Sequence, residues 1–309
     1  MTSTTKEILE NYQIRKNSKQ KDAFTSWLRP ILEANGWSVK IETGSMNCRN
    51  IVIGDVERAE VVYTAHYDTC AVLPFPNFIT PKKPLIYWLY QILITVPILA
   101  FIFTVSWLFS LMGRKWFLVG YWLGFWCFLG MMLFGPANKH TANDNTSGTT
   151  AVIDLALAMP REQRGKCAFV LFDLEEAGLI GSSSFAKKHK KIMKDKLLVN
   201  LDCVSDGETV LFTLKKDAHP HLDALKAAFP SDGRITADFA TKGFVYPSDQ
   251  KCFPKGVGVC ALNKTKRGLL YMDKIHTGKD TVYREENIQW LVEGCIRLTA
   301  LLGDKHESA

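Results

Sequence analysis

The sequence predicts an α/β fold: a mixed β-sheet sandwiched by helices, interrupted by an inserted helical membrane hairpin. Three observations predict it. Short β-branched or apolar runs alternate with segments whose apolar residues recur at helical spacing, the pattern of strands and covering helices. One block, residues 85–134, carries only two formal charges, Arg114 and Lys115, and holds five of the chain's eight tryptophans. Outside that block, 309 − 50 = 259 residues remain, ample for one buried core.

In chain order, residues 4–16 and 20–34 are predicted helices, with Phe24, Leu28, Ile31 and Leu32 on one face and Asn35-Gly36 as the stop. Residues 37–43, 50–54 and 61–66 are predicted strands. After the apolar block, 149–158 reads as a helix, 167–173 as a buried strand and 182–191 as a helix. Residues 197–201 read as a buried strand, 210–214 as an edge-like one and 220–229 as a helix. Residues 257–262 then give a strand and 286–302 a long closing helix.

The apolar block divides at Gly113-Arg114-Lys115 into spans of about 87–112 and 116–134, each long enough to cross a bilayer core. Trp88, Trp107 and Trp116 suit interfacial belts, and Pro97 is a kink site. The predicted organisation is therefore one discontinuous domain, 1–80 and 137–309, with a transmembrane hairpin inserted at 81–136. Lys82, Lys83 and Lys139 flank the spans, against Arg114 and Lys115 at the turn, which favours a cytoplasmic globular part on a two-span cell-membrane protein. The first 24 residues hold no apolar h-region, so no signal peptide is expected.

Composition narrows the function. At 47% hydrophobic and 22% charged the chain is not a disordered one. A net charge of +7 is mildly basic and suits a neighbour of anionic lipid. No basic run is interleaved with stacking aromatics and no zinc-finger spacing occurs, so no nucleic-acid partner is expected. The eight cysteines are scattered without a C-x-x-C pair, which fits reduced thiols.

The chemistry-bearing residues fall at element ends. His66-Tyr67-Asp68 closes a strand; such a His can hold a metal while the Asp steadies its other ring nitrogen. Asp144-Asn145-Thr146-Ser147-Gly148 opens a helix. Glu175-Glu176 follows an apolar strand, where adjacent carboxylates repel unless a metal or a proton compensates them. Asp202 ends another buried strand, at the carboxyl end where open α/β sheets place ligands. His276 lies in His276-Thr277-Gly278-Lys279-Asp280-Thr281.

In that order, and with Glu175-Glu176-Ala177-Gly178-Leu179-Ile180-Gly181-Ser182 and Ser248-Asp249, the set closely resembles the family-28 metallopeptidases, the co-catalytic zinc aminopeptidases. The resemblance covers roughly residues 20–80 and 137–302. It implies the zinc aminopeptidase, or phosphorylase/hydrolase-like, fold and two Zn²⁺, with Mn²⁺ or Co²⁺ as alternatives. Asp144 would bridge the metals, His66 and Asp202 completing one site and Glu176 and His276 the other. Glu175 would be the general base, Asp68 would orient His66, and Tyr246 and Phe253 would lie nearby. The Asp144–Asn145 peptide is expected to be cis. The implied substrate is a peptide with a free N-terminus, its amide attacked by a metal-bridged water. The alternatives are another amide such as a lipopeptide or acylated amino acid, a glutaminyl-cyclase-like transfer, or a non-catalytic membrane scaffold. Cyclases typically lose the Asp-Asn-x-Ser-Gly context, which is intact here.

The hairpin is the departure from that family. Its return tether, 135–143, is nine residues, so at about 3.5 Å per residue the site lies within roughly 30 Å of the membrane exit. The outgoing tether holds Pro74, Pro76, Pro81 and Pro84 and should be stiff. The active-site mouth is expected to sit near the bilayer, with lipid as a partner.

Overall fold

Strands whose residues are apolar one after another are expected to be covered on both faces, and this governs the sheet. The computed structural model describes residues 1–73, 75 and 77–307, apart from the side chains of 132, 133 and 304–307; Pro74 and Pro76 of the outgoing tether lie outside the described residues. The first five strands are β1 (Val39–Thr43), β2 (Arg49–Ile53), β3 (Val61–His66), β4 (Cys167–Phe172) and β5 (Leu197–Leu201). They are followed by β6 (Thr209–Leu214), β7 (Thr236–Ala240), β8 (Gly256–Lys264) and β9 (Leu270–Tyr271). The order across the sheet is β1-β2-β4-β3-β5-β8-β6-β7, with β9 on β8. The central β4, β3, β5 and β8 are parallel; β1, β2 and β6 pair antiparallel with their inner neighbours.

Alternation along the central strands sorts side chains between two cores. Tyr63, Phe169 and Val199 face a large core closed by α1 (Ser3–Asn11), α2 (Ser18–Ala34), α5 (Gly148–Ala158), α8 (Leu222–Ala228) and α9 (Glu285–Glu307). Val62, Val170 and Leu198 face the other core, which holds Phe185 of α6 (Ile180–Lys188) and Met193 of α7 (Lys190–Met193).

Two expectations are corrected. Residues 210–214 are not an edge: β6 lies between β8 and β7. The true edge strand, Thr-Ala-Asp-Phe-Ala, is half-exposed and carries no apolar run, so its sequence resembles a loop. The first helix stops at Asn11 rather than at 16, leaving Tyr12–Asn17 as a loop whose Arg15 serves the site below.

The hairpin is α3 (Pro84–Ser110) and α4 (Trp116–Phe134). They pack closely through Gly120 and Gly124, where a Cβ would lie 2.7 Å from the Ser106 Cα and 3.2 Å from the Ile102 Cα. This is small-xxx-small packing. Their outer faces, including Leu89, Leu93, Val96, Trp107, Trp122 and Trp126, are uncovered by protein. Pro84–Ser110, whose most apolar 18 residues have a mean hydropathy of 2.4, is long and apolar enough to cross a membrane; α4 is apolar but shorter over its described side chains, Trp116–Met131.

Candidate metal centre

Parallel pairing of β4, β3 and β5 aligns their carboxyl ends. His66 ends β3 opposite Phe172 of β4, the loop after β4 delivers Glu175 and Glu176, and Asp202 follows the last residue of β5. The turns are tight: Leu174, Cys203 and His276 itself take left-handed backbone (φ 54, 55 and 63°), conformations unusual for residues with a side chain.

The residues around Asp144 hold it in place. Backbone N–H groups of Asn143 and Asp144 donate to the two carboxylate oxygens of Asp280 at 2.8 and 2.9 Å. Asn145 donates to the Leu201 carbonyl and accepts from Gly148 and Cys203, tying this loop to the end of β5. Ser147 donates to the Asn143 carbonyl and accepts from Val204. Gly148 is obligatory, since a Cβ there would lie 2.1 Å from the Leu201 carbonyl oxygen. The Asp144–Asn145 peptide is cis, as expected.

The result is a two-sided arrangement about one carboxylate. Asp144 Oδ1 lies 3.4 Å from His66 Nε2, which is also 3.4 Å from Asp202 Oδ1. Asp144 Oδ2 lies 2.9 Å from His276 Nε2, which is 3.3 Å from Glu176 Oε2. All five residues that the sequence singles out as ligands thus meet, and Glu175 stands close to His66 and Glu176. Asp68 acts differently from expectation. The His66 ring Nδ1 donates to the Asp68 backbone carbonyl at 3.1 Å, with the carboxylate farther away at 3.6 Å. That carboxylate accepts instead from the N–H groups of Glu175 and Glu176, at 3.0 and 3.2 Å. Its reach is across strands, which an His-x-Asp pattern cannot show.

The donor set fits divalent cations. A carbonyl only accepts, so His66 Nδ1 carries a proton and Nε2 is the atom available to a metal. Glu176 Oε1 and Asp202 Oδ1 are buried without a hydrogen-bond partner, acceptors that only a cation or a proton can satisfy. The charge state says the same. Burial lowers the pKa of His66, but Glu175 and the other carboxylates outweigh it and hold the imidazole well above its usual value. Burial likewise lowers His276, yet Glu176 and Asp144 raise it to about 9. Burial raises Glu176 to about 8 and lifts Glu175 well above the carboxylate range, with His66 opposing and Asp249 adding to the rise. Asp144 stays below its usual value because the two histidines outweigh its burial, and Asp68 does so chiefly through His66. Two nitrogens and three carboxylates are a set suited to zinc.

Arg15 and Cys70 carry no sequence signal, whereas Tyr246 is among the residues that the resemblance places nearby. Arg15, wholly buried, donates to the Tyr67 carbonyl at 2.6 Å and to Thr146 at 3.2 Å, clasping both ligand loops. Cys70 is buried with its sulfur within 4.8 Å of ligand atoms of Glu176 and His276. Tyr246 donates to the Asp202 carbonyl at 2.9 Å. Phe253 stacks on Phe172, the register partner of His66, within the second core. A cleft of about 620 Å³ leads from Glu176 and His276 past Cys70 and Leu73 to Phe134 and Gly135 at the foot of α4. The return tether is stitched to this wall: Val72 N–H donates to the Pro136 carbonyl at 2.9 Å, Asn138 N–H to Cys70 at 3.1 Å, and Leu73 N–H to His276 at 2.8 Å.

The profile of peptidase family M28 matches residues 127–293, a segment that spans Asp144, Glu175, Glu176, Asp202 and His276, with His66 and Asp68 preceding it. No curated protein matches the chain in sequence. Among solved structures, it is similar to the LapA aminopeptidase of Legionella pneumophila (13% identity, 96% of this chain and 69% of that one, TM-score 0.56). It is also similar to a glutaminyl cyclase of Porphyromonas gingivalis (16% identity, 96% and 95%, 0.58). A Zn-dependent exopeptidase of Parabacteroides distasonis is a third (14% identity, 96% and 96%, 0.57). At these identities the likeness is one of fold, and it matches the mixed sheet flanked by helices.

Proposed function

The chain belongs to peptidase family M28, and from that premise we propose that it is a membrane-anchored dizinc aminopeptidase removing N-terminal residues from peptides. One observation carries the reading: Asp144 offers one oxygen toward His66 and Asp202 and the other toward His276 and Glu176. Two metals would be held by His66, Asp144 and Asp202, and by His276, Asp144 and Glu176. When bound, zinc lowers the pKa of an attacking water and polarises the scissile carbonyl.

Glu175 is the proton carrier in this proposal. It is placed by its own N–H on Asp68, and burial raises its carboxyl above the usual carboxylate value, the direction that favours a proton carrier. It removes the proton of the attacking water and delivers it to the leaving amine. Asp68 is a positioning residue, fixing Glu175 and Glu176 through their backbone and His66 through its carbonyl.

The uncovered apolar faces of α3 and α4 support a bilayer anchor. Lys82, Lys83 and Lys139 at the foot favour the globular part on the cytoplasmic side. The cleft running to the foot of α4 supports a site that opens beside the membrane surface.

The test is hydrolysis of aminoacyl chromogenic amides by detergent-solubilised full-length protein, with Glu175→Gln as control. Release of the amine, lost in the variant and on chelation, supports the proposal. Conversion of N-terminal glutamine peptides to pyroglutamyl peptides without residue release would replace it with cyclisation. Inertness toward every free-amine peptide would sink both.

A further inference from the structure

A second cavity, of about 760 Å³, opens away from the metal centre, between the β6–β7–β8 end of the sheet and the foot of α3. Four of its lining residues are cations: Lys82, Lys83, Arg234 and Lys264. Its two carboxylates are engaged. Asp238 accepts from Lys82 at 3.0 and 2.7 Å, and Glu208 pairs with Arg284 at 3.3 Å. Among the described residues, Lys83, Arg234 and Lys264 form no ion pair, and all three are exposed. Three cations without an ion pair therefore share one cavity, Arg234 with the Asp232 carboxylate in its neighbourhood, and the remaining wall includes Leu262, Leu269 and Leu270.

The position of the cavity indicates what would fill it. Lys82 and Lys83 directly precede Pro84, the first residue of α3. This foot is fixed to the globular part. The Val245 N–H donates to the Pro81 carbonyl at 2.9 Å, Ile79 and Met272 exchange backbone bonds at 2.9 and 3.0 Å, and Tyr87 is buried among Leu211, Leu262 and Met272. The cavity is thus held where an apolar helix of 27 residues leaves the sheet, the level at which lipid headgroups lie if α3 enters the bilayer.

We propose that this cavity binds the phosphate-bearing headgroup of an anionic phospholipid. The cations supply charge-assisted hydrogen bonds to the phosphate, and the leucine wall meets the glycerol backbone. The proposal uses the membrane reading of α3 but not the metal centre, so it can fail while the peptidase reading stands, and the reverse.

The experiment is thermal unfolding of the full-length protein in dodecyl maltoside micelles, titrated with dioctanoylphosphatidylglycerol, dioctanoylphosphatidylcholine or inorganic phosphate. The phosphatidylglycerol is expected to raise the Tm saturably and the other two to leave it unchanged. The Lys83→Gln/Arg234→Gln/Lys264→Gln variant should keep its lipid-free Tm. Its apparent affinity should weaken by about fivefold per cation removed, roughly a hundredfold in all. An equal shift with phosphatidylcholine, or a shift reproduced by phosphate alone, overturns the proposal, the latter marking a free-anion site. So does a triple variant that still responds. Should that variant not fold, Lys264→Glu alone carries the same test. Release of the protein from membranes by alkaline carbonate removes the membrane premise and the proposal with it.

Discussion

The metal centre and the hairpin are opposite solutions to burial. Around Asp144 almost every backbone and side-chain polar group is claimed by a named partner, and the few acceptors left over, Glu176 Oε1 and Asp202 Oδ1 among them, converge where a cation would sit. In α3 the hydroxyls are satisfied within the helix, Ser106 donating to Ile102 and Thr104 to Ala100, while the apolar outer faces of both hairpin helices are left uncovered by protein. One region gathers unpaired acceptors and the other gathers uncovered carbon.

The comparison is broken most severely at Glu175. Glu175→Gln is expected to lower kcat by roughly 10³-fold with zinc content and Tm unchanged, measured by steady-state hydrolysis and metal analysis. Loss of bound zinc in that variant would mean that Glu175 is a ligand rather than a proton carrier. Next comes Asp68→Asn, which leaves one oxygen to accept from two N–H groups; a fall of about 10–100-fold in activity is expected, as for residues that orient ligands. An unaltered rate would show that the loop after β4 holds its shape without this carboxylate.

The metal-free site should resist metal at low pH. Glu176 near 8 and His276 near 9 both hold protons at neutral pH, and a metal must displace them. Zinc affinity should therefore rise with pH between 6 and 9, by about tenfold per pH unit for each proton displaced, with proton release seen by calorimetry in buffers of different ionisation enthalpy. Affinity independent of pH between 6 and 9 would contradict the raised values. The smallest effect on chemistry is expected from Gly120→Leu. The new side chain forces α3 and α4 apart at a cost of about 1–3 kcal/mol, confined to the hairpin, with hydrolysis of a small soluble amide unchanged. Loss of zinc in that variant would show that hairpin packing and the centre are one unit.

Most of the ligands were legible in the sequence because they sit at the end of an apolar strand or at the start of a helix, and strand ends are marked by where the apolar run stops. His66, Asp144, Glu175, Glu176 and Asp202 have that signature; His276 lies in the loop between β9 and α9 and is legible only through its place in the ordered motif set. Arg15, Asp280 and Cys70 lack the signature. Arg15 lies in a polar loop after α1, and only the folded chain brings it 3.2 Å from Thr146. Asp280 follows His276 by four residues, but its grip on the Asn143 and Asp144 amides is a contact between loops far apart in sequence. β7 was missed for a related reason. An edge strand needs apolar residues only where it touches its single neighbour, so Thr-Ala-Asp-Phe-Ala gives little periodicity to detect. The hairpin was the most legible part, since its length and lack of charge are local properties.

The pairing of Ala71 with Ala137, reinforced by the bond between Val72 and Pro136, brings the two ends of the inserted segment side by side. In topological terms the insertion is a closed loop hung from a two-rung ladder. A tight turn joining Leu73 to Gly135 could then replace the whole excursion without stretching the chain that carries His66 and Asp144. The excision would uncover the patch where Ile79 and Tyr87 now rest on Leu262 and Met272, so those two positions would need polar replacements. A water-soluble form of this molecule is in that sense already outlined by its own backbone.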